Sequence, residues 1–276
     1  MMMKKAQPVR QEELMPCTHA SQIEKDALRS LLLTKKRYEI LSLSFLKECG
    51  RVFFDDENAI SLFDLTPDEY YSRGIRISGQ TCIECVVDKC CREITGILDF
   101  SKLDRSLDVH LVDMFSGSGN MFFHFCKRLD AKKRTLVESD PNIWMRQVEN
   151  FRAIDFKATS ICGDWTQVFK EENSKFPDMN CFLISPPWGD GFSFSHGLDL
   201  LKTSPSVVSI LRSIESYLKV GSIRNSSAYC FVHLYEVTTP GSLAFIHDNF
   251  DVIDQKIGKI MPFGSNIGFM VVKISR

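Results

Sequence analysis

"DVHLVDMFSGSGNMFFHFCKRLDA", residues 108–131, changes character in its middle. The first part, "DVHLVDMF", is a short apolar run broken by Asp113, and it reads as a buried strand. "SGSG" then interrupts it, and "MFFHFCKRLDA" reads as a helix. Gly117 and Gly119 let the backbone turn tightly and approach a ligand closely. Position 122 is Phe, so the loop is not the dinucleotide pattern G-x-G-x-x-G.

Downstream the alternation continues. "RTLVES" reads as a strand and "PNIWMRQVENFRAI" as a helix. "ATSICGD" and "MNCFLIS" are the third and fourth strands. A helical "PSVVSILRSIESYL" leads to a fifth strand, "SAYCFVHLYEV", and "PGSLAFIHDNF" reads as a further helix. The last stretch, 251–275, reads as two strands joined by a tight turn at Pro262-Phe263-Gly264-Ser265. That pair must be antiparallel, because parallel neighbours need a long crossover. The expected fold is α/β: a Rossmann-like, doubly wound seven-stranded sheet with an antiparallel last strand. Ligands bind such sheets at the carboxyl ends of the strands.

Upstream the pattern is mainly helical. Residues from about 20 to 50 read as helix with a stop at Gly50. "RVFFDD" and "AISLFDL" are short strand-like pieces, and Thr66-Pro67-Asp68-Glu69 has the chemistry of a helix start. The chain therefore divides into an N-terminal helical extension, 1–106, and a Rossmann-like domain, 107–276. Cys82, Cys85, Cys90 and Cys91 open with zinc-like spacing. They also lie on the apolar face of a helix with Ile83, Val86, Val87 and Ile94, and no histidine follows at finger spacing. The expectation is a helical core and no metal.

Composition narrows the class. With 276 residues, 44% hydrophobic and 25% charged, the chain suits a soluble globular protein. A formal net charge of −1 excludes a global basic field for nonspecific nucleic-acid binding. Lys4, Lys5, Lys35, Lys36 and Arg37 make the first fifty residues mildly basic, as a solvated helix face would be. No apolar run approaches the ~20 residues of a membrane span, and the N-terminus lacks the apolar core of a signal peptide. Ten scattered cysteines then read as reduced thiols of a cytoplasmic or nuclear protein with no membrane partner.

Three acids fall at the ends of the first three strands. Asp113 is placed to accept from a cationic amine. Glu138, nineteen residues past Gly119, is suited to two ribose hydroxyls. Asp164, in "GDW", is placed to accept from an adenine amino group, with Trp165 or Cys162 against the ring. In order and position this constellation resembles the class I methyltransferases that use S-adenosylmethionine, over roughly residues 107–276. The resemblance implies that cofactor. Asp113, Gly117 and Gly119 would hold its methionine part, Glu138 its ribose and Asp164 its adenine. Phe115, Asn120, Trp165 and Thr66 would complete the cofactor site.

The fourth strand ends unusually, in "CFLISPPWGDGF", residues 181–192. Two prolines stop a strand, since neither donates to the ladder. The motif resembles the (Asp/Asn/Ser)-Pro-Pro-aromatic sequence of amino-group methyltransferases. There the Ser185 oxygen and the Pro186 carbonyl would orient an exocyclic amine, and Trp188 would stack on the acceptor. Ser185, Pro186 and Trp188 are the catalytic candidates. "SPPWG" is similar to trimethylguanosine synthase, as are "KRYEILS" and "FDLTPDE" in the extension. That family continues with Gly-Gly-Pro-Asp-Tyr, whereas this chain has Gly189-Asp190-Gly191-Phe192 and then "SFSHGLDLLKTSP". This loop should shape the acceptor pocket, with Asp190, Phe192 and His196 beside Trp188. Arg73, with Arg76, would meet a phosphate or carboxylate, and the extension would close over the site as a lid.

The expected activity is N-methyl transfer to an exocyclic amino group of a base, guanine in a cap-like RNA context. The alternatives are a small aromatic or heterocyclic amine as acceptor, and a cofactor-binding subunit without catalysis.

Overall fold

Each of the five apolar runs read as parallel strands pairs in register in a computed structural model. It describes residues 20–104, 108–171, 179–193, 195–220, 227–258 and 267–275. The strands are β1 (Val109–Asp113), β2 (Lys133–Glu138), β3 (Thr159–Cys162), β4 (Met179–Ile184), β7 (Ser227–Tyr235), β8 (Asp251–Ile257) and β9 (Ile267–Ser275). Their spatial order is β3-β2-β1-β4-β7-β9-β8. The first five run parallel, and β9 lies antiparallel between β7 and β8. A two-residue hairpin, β5 (Phe192–Ser193) with β6 (Gly197–Leu198), stands apart. The expected turn at 262–265 lies outside the described residues, as do Lys4 and Lys5.

Ten helices are described: α1 (Gln22–Leu33), α2 (Leu43–Phe54), α3 (Pro67–Ser72), α4 (Gly79–Glu84), α5 (Asp88–Ile97), α6 (Asn120–Leu129), α7 (Pro141–Ala153), α8 (Val168–Glu171), α9 (Val207–Val220) and α10 (Pro240–Asn249). The period of two along the strands sends alternate side chains to two cores. Leu111, Cys181, Leu183, Tyr229 and Phe231 face one core, with Leu32, Leu46, Tyr70 and Ile94 of the N-terminal helices and Phe125 of α6. Val112, Phe182, Ile184, Cys230 and Val232 face the other, with Ile210, Leu211 and Ile214 of α9 and Ile246 of α10. Both faces of β1 and β4 are therefore covered, and neither strand has an exposed residue. Burying each such side chain stabilises by about 1.5–3 kcal/mol relative to its exposure.

The N-terminal third departs from the sequence reading in five places. Residues 20–50 form two helices, because Ser42 caps a second one by accepting from the Phe45 amide at 3.2 Å. Gly50 is not a stop; it lies inside α2, where a Cβ would meet the Asp56 carbonyl at 2.5 Å. "RVFF" is the last turn of that helix rather than a strand, since Phe53 completes its buried face. "AISLFDL" is a tight turn, not a strand: Leu62 and Leu65 bridge across Phe63 and Asp64, both at φ 60°. The cysteine segment is also two helices, with a break at Cys85. Burial among apolar side chains pushes the Cys85 and Cys90 thiols up to about 12, and a hydrogen bond with Cys49 together with burial raises that of Cys82. Thiols held protonated are poor metal ligands.

One buried amide ties the helical layer to the start of α6. Asn120 is fully buried; its Oδ1 accepts from the Phe63 amide at 2.7 Å and its Nδ2 donates to the Val86 carbonyl at 2.7 Å. Asn120→Ala leaves both backbone groups without these bonds and should destabilise the fold by about 2–4 kcal/mol. Urea unfolding of the two proteins measures the difference.

Candidate active site

Strand register sets the site. Asp113 pairs with Leu136 of β2 and Leu183 of β4, and Ile184 pairs with Val232 of β7. Glu138, Ser185 and His233 therefore lie within about two residues of the level of Asp113, or ~7 Å along the strand direction. The Met114 amide bonds to the Leu183 carbonyl at 3.2 Å and holds the two strand ends together past the ladder.

Glu138 turns back into the glycine loop. Its Oε2 accepts from the Gly117 amide at 2.9 Å and its Oε1 from the Asp140 amide at 2.8 Å. Gln147 of α7 supports the same loop by donating to Ser116 Oγ and to the Gly117 carbonyl, each at 2.8 Å. The two glycines separate in role. Gly117, at φ 50°, has nothing within 4 Å of a would-be Cβ, so its backbone faces open space. Gly119, at φ 79°, backs onto the Phe151 ring, which a Cβ would meet at 2.4 Å. Close approach to a ligand is thus a property of Gly117, while Gly119 serves packing against α7. Asn120 likewise spends its side-chain amide on Phe63 and Val86 rather than on the cleft.

The acids are electrostatically tense. Burial raises Asp113 to about 7, against a bond from the Phe115 amide, and the like charge of Glu138 adds to the push. Burial also raises Glu138. A buried and a half-buried carboxylate beside an open glycine backbone suit a ligand with a cationic amine and hydroxyl groups. Beyond them, the rings of Phe115 and Trp165 stand 6.4 Å apart at 35°. Asp164 caps the turn that carries Trp165, accepting from the Thr166 amide at 2.9 Å and the Thr166 hydroxyl at 2.6 Å. This set fits the methionine, ribose and adenine parts of S-adenosylmethionine.

Thr66 is the N-cap of α3, bonded reciprocally to Glu69. Tyr38, in "KRYEILS", reaches from the extension to Asp140, its hydroxyl donating at 2.8 Å. The extension thus touches the first turn after Glu138.

At the end of β4, Ser185 is half-buried, Pro186 buried and Trp188 half-buried. Trp188 sits among three rings: Phe192 at 4.9 Å, His233 at 5.7 Å and Tyr235 at 5.8 Å. Burial pulls His233 down to about 4, so it is neutral, and its Nε2 is buried without a hydrogen-bond partner among the described residues. The loop that follows is anchored on the segment after β7: the Leu198 amide donates to the Val237 carbonyl at 2.7 Å and the Thr239 amide to the Leu198 carbonyl at 2.8 Å. Asp190 and His196 on this loop are exposed. Arg73 is exposed at the end of α3, whereas Arg76 lies 3.9 Å from the Tyr71 ring and donates to the Tyr71 and Ile75 carbonyls. Arg76 is thus held within its own segment. No ring contact or hydrogen bond among the described residues joins Arg73 or His196 to Trp188.

Residues 109–233 match the family model described as RNA cap guanine-N2 methyltransferase. The chain is an S-adenosylmethionine-dependent methyltransferase. Among solved structures, this methyltransferase is similar to the putative methyltransferase yhhF of Escherichia coli, at 14% identity and TM-score 0.38 over 60% of this chain and 77% of that one. It is similar to M. capricolum TrmK in complex with S-adenosyl-homocysteine, at 7% identity and TM-score 0.43 over 69% and 68% of the two chains. It is also similar to the M. jannaschii tRNA m1G37 methyltransferase, at 18% identity and TM-score 0.36 over 61% and 45%. Likenesses of this size decide nothing about activity, acceptor or partner. No curated protein matches the chain in sequence.

Gln147, Tyr38, His233 and Tyr235 were not legible as site residues. Gln147 and Tyr38 act through contacts with residues 30 and 102 positions away, which no local pattern encodes. His233 carried a faint signal, a lone imidazole inside the apolar run "YCFVHLY".

Asp113 keeps its proton at pH 6 and loses it above pH 7, because its folded value lies above the ordinary carboxylate range. Affinity for the α-ammonium of S-adenosylhomocysteine should therefore rise from pH 6 to pH 8, by up to about tenfold. Calorimetry at the two pH values reads this out, and Asp113→Asn should bind more weakly with a flat profile.

Proposed function

We propose that the enzyme methylates an exocyclic amino nitrogen of a base, guanine in a capped RNA. The observation that carries this reading is Ser185-Pro186-Pro187-Trp188 just past the end of β4, starting two residues beyond the level of Asp113 and beside His233. An exocyclic amine is a poor nucleophile because its lone pair is delocalised into the ring. It needs alignment more than activation. The Ser185 hydroxyl and the Pro186 carbonyl accept its two N–H bonds and fix the direction of the lone pair. Pro-Pro keeps that carbonyl from turning away. Trp188, braced by Phe192 and Tyr235, offers a face to the base. When bound, S-adenosylmethionine supplies an electrophilic methyl group, with Asp113, Glu138 and Asp164 holding its amine, ribose and adenine.

In this reading residues 107–276 are the catalytic domain and residues 1–106 the extension that covers cofactor and acceptor. Thr66 and Arg73 face the site from that side, and Asp190, Phe192 and His196 shape the acceptor pocket. The chemistry needs no metal. Among the described residues no helix is long and apolar enough to cross a membrane. A cap-directed enzyme would work in the cytoplasm or nucleus.

Incubation with a capped dinucleotide and isotopically labelled cofactor, followed by mass spectrometry, should show a methyl group on the guanine amine. Methylation of a small aromatic amine with the cap left untouched would replace guanine as the acceptor. Ser185→Ala should lower turnover at least tenfold while cofactor affinity stays within about twofold, the loss of one oriented hydrogen bond. Trp188→Ala should chiefly weaken acceptor binding, by ~1–3 kcal/mol. If its melting temperature and cofactor affinity collapse together, Trp188 is a packing residue and the stacking role is wrong.

A further inference from the structure

A second concave feature lies at the other end of the sheet. About 530 Å3 in volume, it is lined by eight residues, of which Lys132, Lys133, Arg134 and Lys157 are basic and Asp130 is the one acid. β2 begins at Lys133 and β3 at Thr159, so the concavity sits at their amino ends. Glu138 is five residues on, about 16 Å away along the strand. The two sites therefore share strands but occupy opposite edges of the sheet.

This clustering of one sign is local. The whole chain has a formal net charge of −1, so the excess does not reflect a generally basic composition. Like charges brought this close repel and cost stability in the isolated protein. Lys132 pairs with Asp130 at 2.6 Å, but both side chains are largely exposed and such a pair contributes little. Arg134 is fixed rather than floppy. Its Nε donates to the Ala131 carbonyl at 3.0 Å and its guanidinium stands 4.9 Å from the centre of the Phe156 ring. A fixed guanidinium with lysines around it presents the chemistry that phosphate oxygens require. β3 is the edge strand of the sheet, so no further strand of the described sheet covers the concavity on that side.

We propose that this concavity binds the phosphate backbone of the RNA whose base enters the active site. It supplies a second contact about one strand length from the chemistry. The proposal rests on RNA being the acceptor. It implies that long RNAs are held more tightly than a bare cap, in proportion to the phosphates engaged. α6 and α7 also end near this edge, and cations there can simply balance the negative ends of those helices. That role predicts effects on stability but not on RNA binding.

The test compares the full-length chain with Lys132→Ala/Lys133→Ala/Lys157→Ala, leaving Arg134 in place. Each is titrated with an uncapped single-stranded RNA of about 20 nucleotides over a range of salt. The expected result is an affinity loss of about tenfold at low salt and a slope of log K against log salt shallower by about 2, three contacts at ~0.7 each. Turnover of a capped dinucleotide, too short to span the two sites, should be unchanged. Wild-type affinity and slope in the triple variant would overturn the proposal, whether or not the melting temperature moves. So would failure of the wild-type chain to bind the RNA at low salt. If the dinucleotide is not methylated by the wild-type enzyme, only the cap-guanine reading fails, because the salt slope on uncapped RNA still reports on the concavity.

Discussion

The Glu138 carboxylate holds two backbone amides that come from different elements. One oxygen accepts from Gly117, in the loop between β1 and α6, and the other from Asp140, at the start of α7. Gln147 then reaches back from α7 to that loop and accepts from Ser160 of β3 at 3.0 Å. A single acid and a single amide thus lock the first two crossovers of the sheet to each other and to β3. Burial makes the arrangement costly for the acid, whose proton affinity is raised. The bonds it accepts keep that cost from becoming prohibitive. Everything at the carboxyl edge is positioned relative to this knot: the open backbone of Gly117, the Phe115 ring, and the turn capped by Asp164.

The helical layer is not a detachable cap. Leu32, Leu46, Tyr70 and Ile94 share one core with strand residues such as Leu111 and Phe231. Asn120 makes the tie polar and specific, since its amide can satisfy Phe63 and Val86 only if the N-terminal turn and the break before α5 are both in place. Phe63 rings also pack edge-on against Phe123 and Phe151. Asn120 thus serves the joint between extension and sheet, while Gly119 lets the loop pack on α7.

The sheet was legible because its strands are covered on both faces and write themselves as apolar runs between glycine and proline punctuation. Asp113, Glu138 and Asp164 were legible for the same reason, being the first acids after those runs. The N-terminal third was harder. Val52, Phe53 and Phe54 are a helix end whose apolar face merges with an aromatic run, and the turn at Leu62–Leu65 uses no glycine to announce its positive φ angles. Trp188 was legible as the odd residue after two prolines, but the rings that surround it come from the next strand and the following loop. Partners of that kind are fixed by tertiary packing, and only the register of β4 on β7 brings His233 level with Ser185.

The order of β8 and β9 has a consequence for how the molecule is made. β8 comes first along the chain, yet among the described residues its ladder is with β9 alone, which lies between it and β7. During synthesis β8 therefore has no strand to dock on until β9 has left the ribosome. β7 in the meantime presents an open edge of nine residues, seven of them buried in the finished fold. Non-local pairing of this kind is slow, and an unpaired apolar edge is prone to associate with another chain. The interval between the emergence of β7 and that of β9 is the stage at which the nascent protein is most exposed to misassembly.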